Sequence, residues 1–221
     1  MLRKRLQLGL IHVAVAMTLV PINSTLNRVM IKELALSATL VAILASLPYL
    51  FSPIQVAIGS FSDRHQVMGY RRTPYIVLGL FLCAFGVIIA PQVAFLMPTN
   101  ALAGTSLGIL AFGAWGMGFN FASVSYLTLA SELSGERGRG RTIAVMWFMM
   151  ITSIVLTALG LGQMVNPYTP EALVRAFWAV GLAALFLGLI GLINLEPRIT
   201  GKAAPASESY SWSVLARRCV G

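Results

Sequence analysis

Ionisable side chains are concentrated in one short polar stretch of this 221-residue chain, which lies between two apolar runs. The stretch reads GSFSDRHQVMGYRRTPYI and holds Asp63, Arg64, His65, Arg71 and Arg72. A carboxylate such as Asp63 can accept hydrogen bonds from arginine side chains or from the amides at a helix N-terminus. It would then hold two helix ends together. The alternative is that the arginines only anchor the chain at the lipid headgroups.

A second charged cluster follows the fourth apolar run. Here Glu132 and Glu136 are followed closely by Arg137, Arg139 and Arg141. Pairing of Glu132 with one of these arginines would fasten the fourth helix to the fifth. Exposed pairs of this kind contribute only about 0–1 kcal/mol, and more when they are shielded from water. We therefore expect this cluster to have a structural role.

The elements that must position these residues are transmembrane helices. The chain is 57% hydrophobic and only 10% charged, and its mean hydropathy of +0.82 is far above that of a soluble domain. A spanning helix needs about 20 mainly apolar residues. The sequence predicts an all-α integral membrane protein, with a six-helix bundle over 1–197 and a cytoplasmic tail over 198–221. The predicted spans are 7–30, 37–60, 74–97, 101–131, 142–165 and 172–195.

The positions of the basic residues argue against a nucleic-acid partner, although the net charge is +9. Of the 16 Lys and Arg residues, 13 precede the first predicted span or follow the second, fourth and sixth spans. Basic residues are enriched in the cytoplasmic loops of membrane proteins. We therefore expect a multi-pass protein with both termini in the cytoplasm.

The polar stretch resembles the loop between helices two and three of the major facilitator superfamily. In that superfamily a glycine is followed by three intervening residues, then Asp-Arg, then one further residue and Gly-Arg-Arg. The matching residues here, which we expect to act as a conformational latch, are Gly59, Asp63, Arg64, Gly69, Arg71 and Arg72. The sequence departs from the pattern because four residues separate Arg64 from Gly69, and because Tyr70 precedes the two arginines.

The same stretch is similar to one branch in particular, the PucC-type or bacteriochlorophyll-delivery family. Two further stretches, STLNRVMIKEL at 24–34 and SYLTLASELSGERGRGRTIAVMWFMM at 125–150, also resemble that family. The resemblance implies a light-harvesting assembly factor in a bacterial inner, photosynthetic membrane, which delivers chlorophyll or bacteriochlorophyll to antenna polypeptides. The family has twelve spans in two halves, and this chain resembles the N-terminal half. A second half, or another copy of the chain, is therefore an implied partner.

Polar side chains inside the apolar runs are the candidate pigment contacts, because such groups are costly in lipid. They are His12, Asn23, Asn27, Arg28 and Asn120. The first three share one face at helical spacing, and the imidazole of His12 could ligate the magnesium of a chlorin. The alternative is that His12 only hydrogen-bonds a neighbouring helix. Arg28 would either pair with Glu33 or extend to the outer surface.

No motif in the sequence indicates an enzyme. Paired carboxylates, Cys or His clusters with metal-ligand spacing, and phosphate-binding loops are absent from it. We expect no catalytic residue, no metal and no intrinsic cofactor. The alternative function is a small-molecule transporter, or half of one, whose polar cavity would use His12, Asn23, Asn27, Gln55 and Asn120. A third hypothesis, a non-functional fragment, predicts an unstable protein.

Overall fold

The computed structural model describes residues 2–198, and of Asp63 it describes the backbone only. The helices are α1 Leu2–Met17, a π-helical turn Pro21–Leu26, α2 Asn27–Lys32, α3 Ala38–Leu50, α4 Ile54–Arg64, α5 Thr73–Leu96, α6 Ala101–Met164 and α7 Pro170–Leu192. Within this part of the chain, β pairing is limited to an isolated bridge between Val67 and Tyr70. The prediction of an all-α protein is therefore confirmed over residues 2–198.

Within residues 2–198, five helices are long and apolar enough to cross a membrane, namely Leu2–Lys32, Ala38–Ser62, Thr73–Leu96, Ala101–Met164 and Pro170–Leu192. Large apolar side chains stay exposed along them. Phe81, Phe148 and Phe186, for example, are 52%, 73% and 66% exposed. Soluble monomers rarely expose large contiguous apolar surfaces. The exterior of these helices therefore suits lipid rather than water.

The fourth and fifth predicted spans lie in α6, which consists of two helical arms that meet at Gly135. Gly135 interrupts it with φ 60° and ψ 172°, a conformation that glycine adopts without steric cost. The ring of His12 lies 5.3 Å from the ring of Tyr126 and 6.0 Å from that of Trp147. A straight helix would hold Tyr126 and Trp147 about 31 Å apart. The chain therefore folds back on itself near Gly135.

A proline divides the second predicted span into α3 and α4. Pro53 has no N–H, so it cannot bond the carbonyl of Tyr49. That carbonyl accepts instead from the N–H of Ser52 at 3.1 Å. Because the N–H of Ser52 bonds the carbonyl of Tyr49, it does not bond the carbonyl of Pro48. The carbonyl of Pro48 accepts a hydrogen bond from the side chain of Asn120 at 3.0 Å. From the sequence, Pro48 and Pro53 predict a kink in this span, because each removes a backbone donor. The helix breaks between Leu50 and Ile54.

The first predicted span is divided as well, at the π-helical turn. A π turn holds more residues than an α turn, so the residues after it face in new directions. His12 and Ala16 are buried, whereas Asn23 is exposed and Asn27 is partly exposed. His12, Asn23 and Asn27, which the sequence predicts on one face, therefore differ in their exposure.

Glycines bring α5 and α6 into close contact at the centre of the bundle. A Cβ atom on Gly79 would lie 2.5 Å from the backbone nitrogen of Ala122, and one on Gly118 would lie 2.6 Å from that of Cys83. Small residues permit such approach where lipid supplies no hydrophobic drive between helices. Around this pair, α1 packs on α6 and α7, and α7 also packs on α5. The shorter helices α3 and α4 pack on α6, and most residues of α4 are exposed.

Candidate functional site

The carboxylate of Glu196 caps the N-terminus of α5. Glu196 is 9% exposed and lies just after α7. It accepts hydrogen bonds from the backbone N–H groups of Arg71, Arg72 and Thr73 at 2.8, 3.1 and 2.7 Å. The hydroxyl of Thr73 also donates to it, at 2.6 Å. The first N–H groups of a helix lack internal partners and form the positive end of its dipole. The carboxylate satisfies them and ties the end of α7 to the start of α5.

The side chain of Arg72 joins three helices at the same end. Arg72 is only 2% exposed. Its Nη1 donates to Oγ of Ser62 on α4 at 2.5 Å, and its Nη2 forms an ion pair with Glu132 on α6 at 3.1 Å. The side chain of Glu132 is 40% exposed, so water screens part of this attraction. Together with Glu196, these contacts bring α4, α5, α6 and α7 to one point, which we call the charged end.

Three other residues of the predicted latch lie on α4. The side chain of Asp63 is outside the described part of the structure, so its pairing with the arginines stays a prediction. Gly59 faces Val124 of α6, where an added Cβ atom would make an ordinary contact at 3.7 Å. Arg64 is the last residue of α4 and is exposed. The described latch contacts therefore come from the residues at the start of α5.

The turn between α4 and α5 is closed by Gly69, which has φ 81°. Its backbone reverses direction so that Val67 and Tyr70 form two hydrogen bonds of 3.0 Å. The hydroxyl of Tyr70 accepts from Nε of Arg198 at 2.9 Å, and the guanidinium lies 5.3 Å from the ring centre. The predicted tail lies outside the described residues from position 199 onward.

Glu132 has a different partner from the one that the sequence suggested. It pairs with Arg72, the residue before α5, whereas its neighbours in the sequence predict an arginine of the turn after it. The three arginines of that turn are exposed, namely Arg137, Arg139 and Arg141. The two arms of α6 are joined at this turn by a 2.8 Å hydrogen bond from Ser134 to Thr142. Glu132 therefore connects α6 to α5.

His12 lies inside the contact between α1 and α6. It is 6% exposed, and its Nε2 is 2.8 Å from the sulfur of Met150. The rings of Tyr126 and Trp147 flank it. Its Nδ1 is also buried and has no hydrogen-bond partner among the described residues. A pigment magnesium could reach either nitrogen only if α1 separated from α6, and ligation by His12 stays a prediction.

The side-chain amide of Asn120 has hydrogen-bond partners within the protein at both its nitrogen and its oxygen. It is 1% exposed, and its Nδ2 donates to the carbonyls of Pro48 and Gly116 at 3.0 and 2.8 Å. Its Oδ1 accepts a hydrogen bond from Nε2 of Gln55. Buried polar groups of this kind stabilise a structure when all their bonds are made. Asn120 therefore holds the break between α3 and α4 against α6.

A polar cavity of about 440 Å³ lies at the opposite end of the bundle, between the π-helical turn, α2 and the end of α6. Its polar lining comprises Ser24, Thr25, Arg28, Glu33, Asn166 and Tyr168. Burial raises the pKa of the Tyr168 phenol, and the carboxylates of Glu33 and Glu171 raise it further. The phenol thus stays protonated and can donate a hydrogen bond. Of the predicted contacts, Arg28 lines this cavity.

An apolar groove of about 580 Å³ runs along α4 and is open at the side. Most of its lining is apolar and comes from Ile54, Ala57, Ile58, Phe61, Leu78 and Phe121. At the charged end, Arg64, His65 and Tyr75 line it. The groove therefore combines a long apolar wall with a few polar groups at one end, which is the usual composition of a small-molecule site.

Sequence reasoning missed Glu196. Its partners are 123 to 125 residues away in the chain, so no local spacing connects them. A signal was nevertheless present, because Glu196 is the first charged residue after the last apolar run. An acidic residue at that position, on the same side as the start of the third span, is available to cap it.

The fold and the charged end define a class of protein: helices of membrane-spanning length, apolar outside and tied together at one end. The family model described as PUCC protein matches residues 25–215. The chain is 35% identical over 205 residues to Protein PucC of Cereibacter sphaeroides, and 32% identical over 203 residues to that of Rhodobacter capsulatus. It is 31% identical over 193 residues to a Rhodobacter capsulatus protein named bacteriochlorophyll synthase 44.5 kDa chain. The chain belongs to the PUCC protein family.

The three matches cover 89%, 88% and 87% of this chain but only 45%, 44% and 44% of the relatives. The chain thus spans about half the length of the curated relatives it matches. No solved structure matches it. The resemblance to the PucC-type family drawn from the sequence motifs is confirmed by the family match.

Proposed function

We propose that this chain is an assembly factor of photosynthetic light-harvesting complexes. It binds chlorophyll or bacteriochlorophyll as cargo and delivers it to antenna polypeptides in the inner, photosynthetic membrane of a bacterium. Membership of the PUCC family is the observation that carries the proposal, and the relative named as a bacteriochlorophyll synthase chain supports it. The chain catalyses no reaction and has no cofactor of its own in this proposal.

The distribution of polar groups supports an apolar cargo. His12 and Asn120 are turned into the bundle and contact other parts of the protein. The groove along α4 is lined mostly by apolar side chains and opens sideways. A pigment dissolved in the lipid could enter such a groove without crossing water. Binding from the lipid is therefore the simplest route for loading and release.

A major-facilitator-like architecture with six spans is part of the proposal. The reversal of the chain near Gly135 supports counting α6 as two spans, which raises the number from five to six. Both termini would then lie in the cytoplasm, where the basic residues are concentrated. A second half or another copy would complete a twelve-span assembly. The contacts of Arg72 and Glu196 would set how the helices move against each other.

The test is the absorption spectrum of the chain purified in mild detergent from a pigment-producing host. We expect chlorin bands near a one-to-one ratio, measured from the blue to the near infrared. A matched preparation of an unrelated membrane protein controls for carried-over pigment. A His12→Ala variant tests the ligand that the sequence suggested. A colourless, well-folded protein would contradict pigment delivery by this chain.

The polar cavity at the opposite end favours a second candidate, a small-molecule transporter or half of one. Arg28 and Glu33 both line this cavity, so a ligand with both charges could bind there. Small zwitterionic solutes should then raise the unfolding temperature of the chain, and an Arg28→Ala variant should lose that effect. The absence of any such stabilisation, together with chlorin bands, would reject this candidate.

A further inference from the structure

The imidazole of His65 is held in one orientation by Phe61. The two rings stack with their centres 4.1 Å apart and their planes 19° from parallel. Nδ1 of His65 lies 3.1 Å from the carbonyl oxygen of Phe61. A carbonyl oxygen can only accept, so Nδ1 carries the hydrogen of this bond. In the neutral ring, Nε2 then keeps an unshared electron pair. Metal-ligating histidines have this arrangement, with the second nitrogen bonded to a carbonyl or carboxylate.

The backbone at His65 is fixed as well. Its N–H donates to the carbonyl of Phe61 at 3.0 Å and ends α4. Its carbonyl accepts from the hydroxyl of Tyr75 at 2.8 Å. The ring of Tyr75 meets the ring of Phe61 edge-on, with the centres 6.2 Å apart. The site is therefore formed by contacts within the protein, which lowers the entropy lost when a ligand binds.

The length and the lining of the groove suit an apolar ring. From His65 to Ile54 it follows α4 for about 16 Å, at 1.5 Å per residue. Leu78 of α5 and Phe121 of α6 form the other walls. His65 is exposed, in contrast to His12. Arg64, at the same end, adds a cation that can donate to a carbonyl oxygen.

We propose that Nε2 of His65 is the axial ligand to the magnesium of a chlorophyll-class pigment whose ring lies in the α4 groove. The magnesium of such a ring is held by four nitrogens in one plane, so it can take a further ligand from one side. Neutral imidazole is a common metal ligand in proteins. Arg64 donates a hydrogen bond to a peripheral carbonyl of the pigment. This inference rests on the proposed function, and it assigns the ligand to His65 instead of His12.

The experiment compares a zinc chlorin with the same chlorin lacking a metal, each titrated into the purified chain in detergent and followed by absorption. We expect the wild-type chain to bind the zinc form about tenfold or more tightly than the metal-free form. His65→Phe keeps the stacking on Phe61 but removes the nitrogen, and it should lose this preference. His65→Leu, a second variant that has no metal-ligating atom, should lose it too. Gln66→Ala, in the same turn, is the matched control and should keep it.

Two results would overturn the site while leaving the proposed function in place. One is a wild-type chain that binds both chlorins equally well. The other is a preference that survives in both His65 variants but disappears in His12→Ala. A wild-type chain that binds neither chlorin would overturn the site and the proposed function together. Circular dichroism of each variant confirms that a lost preference comes from a folded protein.

Discussion

Removal of the Glu196 carboxylate should destabilise the charged end by about 1.5–5 kcal/mol. The Glu196→Ala change takes the acceptor away from three backbone N–H groups and one hydroxyl. Loss of a helix cap costs about 0.5–2 kcal/mol. A buried donor left without a partner costs about 1–3 kcal/mol more. Of the residues involved, Arg72 is buried, whereas Arg71 and Thr73 are partly exposed and can be hydrated. We therefore count one buried donor.

The assay is equilibrium unfolding in mixed detergent micelles, followed by circular dichroism. Glu196→Gln keeps one acceptor oxygen but loses the charge, so it should cost about 1 kcal/mol. Glu136→Ala is the matched control, because Glu136 is an exposed glutamate on α6 near the same end. Its change should stay within about 0.5 kcal/mol. If Glu196→Ala were no less stable than Glu136→Ala, the capping argument would be refuted.

Three further substitutions test the packing of α6, all by thermal unfolding in detergent. Gly118→Ala places a Cβ atom within 2.6 to 2.7 Å of the α5 backbone, so it should cost about 1–3 kcal/mol. A Cβ atom on Gly160 would meet nothing within 4 Å, so Gly160→Ala should be neutral or stabilise by up to about 1 kcal/mol. Equal changes in stability for Gly118→Ala and Gly160→Ala would contradict the close approach of α5 and α6. Asn120→Ala leaves the carbonyl of Pro48 and the amide of Gln55 without partners, at a cost of about 1–3 kcal/mol. It should also speed hydrogen exchange at the break between α3 and α4, and unchanged exchange would argue against this role.

The helical class was predictable because it depends on local composition. Long apolar runs can satisfy their backbone groups in lipid only as helices or closed barrels, and the runs were continuous. Pro48 and Pro53 also identified the break in the second span correctly, since a missing N–H acts on its own helix. The π-helical turn also begins at a proline, Pro21, which the prediction of one continuous first span did not use. Asn23 in this turn is exposed, whereas His12 in α1 is buried.

The site depended on contacts between distant segments, which spacing does not encode. Residue type suggested His12 as the pigment ligand, because it lies in an apolar run. Burial of that ring against Met150 could be seen only when α1 was packed on α6. Glu132 likewise stood beside three arginines in sequence, yet it pairs with Arg72, 60 residues away. The clusters of charged residues in the sequence indicated where the charged end lies. The packing of the helices determines which of those residues pair with each other.

The order of synthesis determines when the Glu196 contact can form. The ribosome makes Thr73 some 123 residues before Glu196. Synthesis proceeds at about 5–20 residues per second, so the first amides of α5 are made on the order of ten seconds before the carboxylate that caps them. During that interval, water or lipid headgroups bond these amides. The arrival of Glu196 therefore marks the moment when α7 is in place and α5 can be tied to it, so the contact forms only after both of these helices have been made.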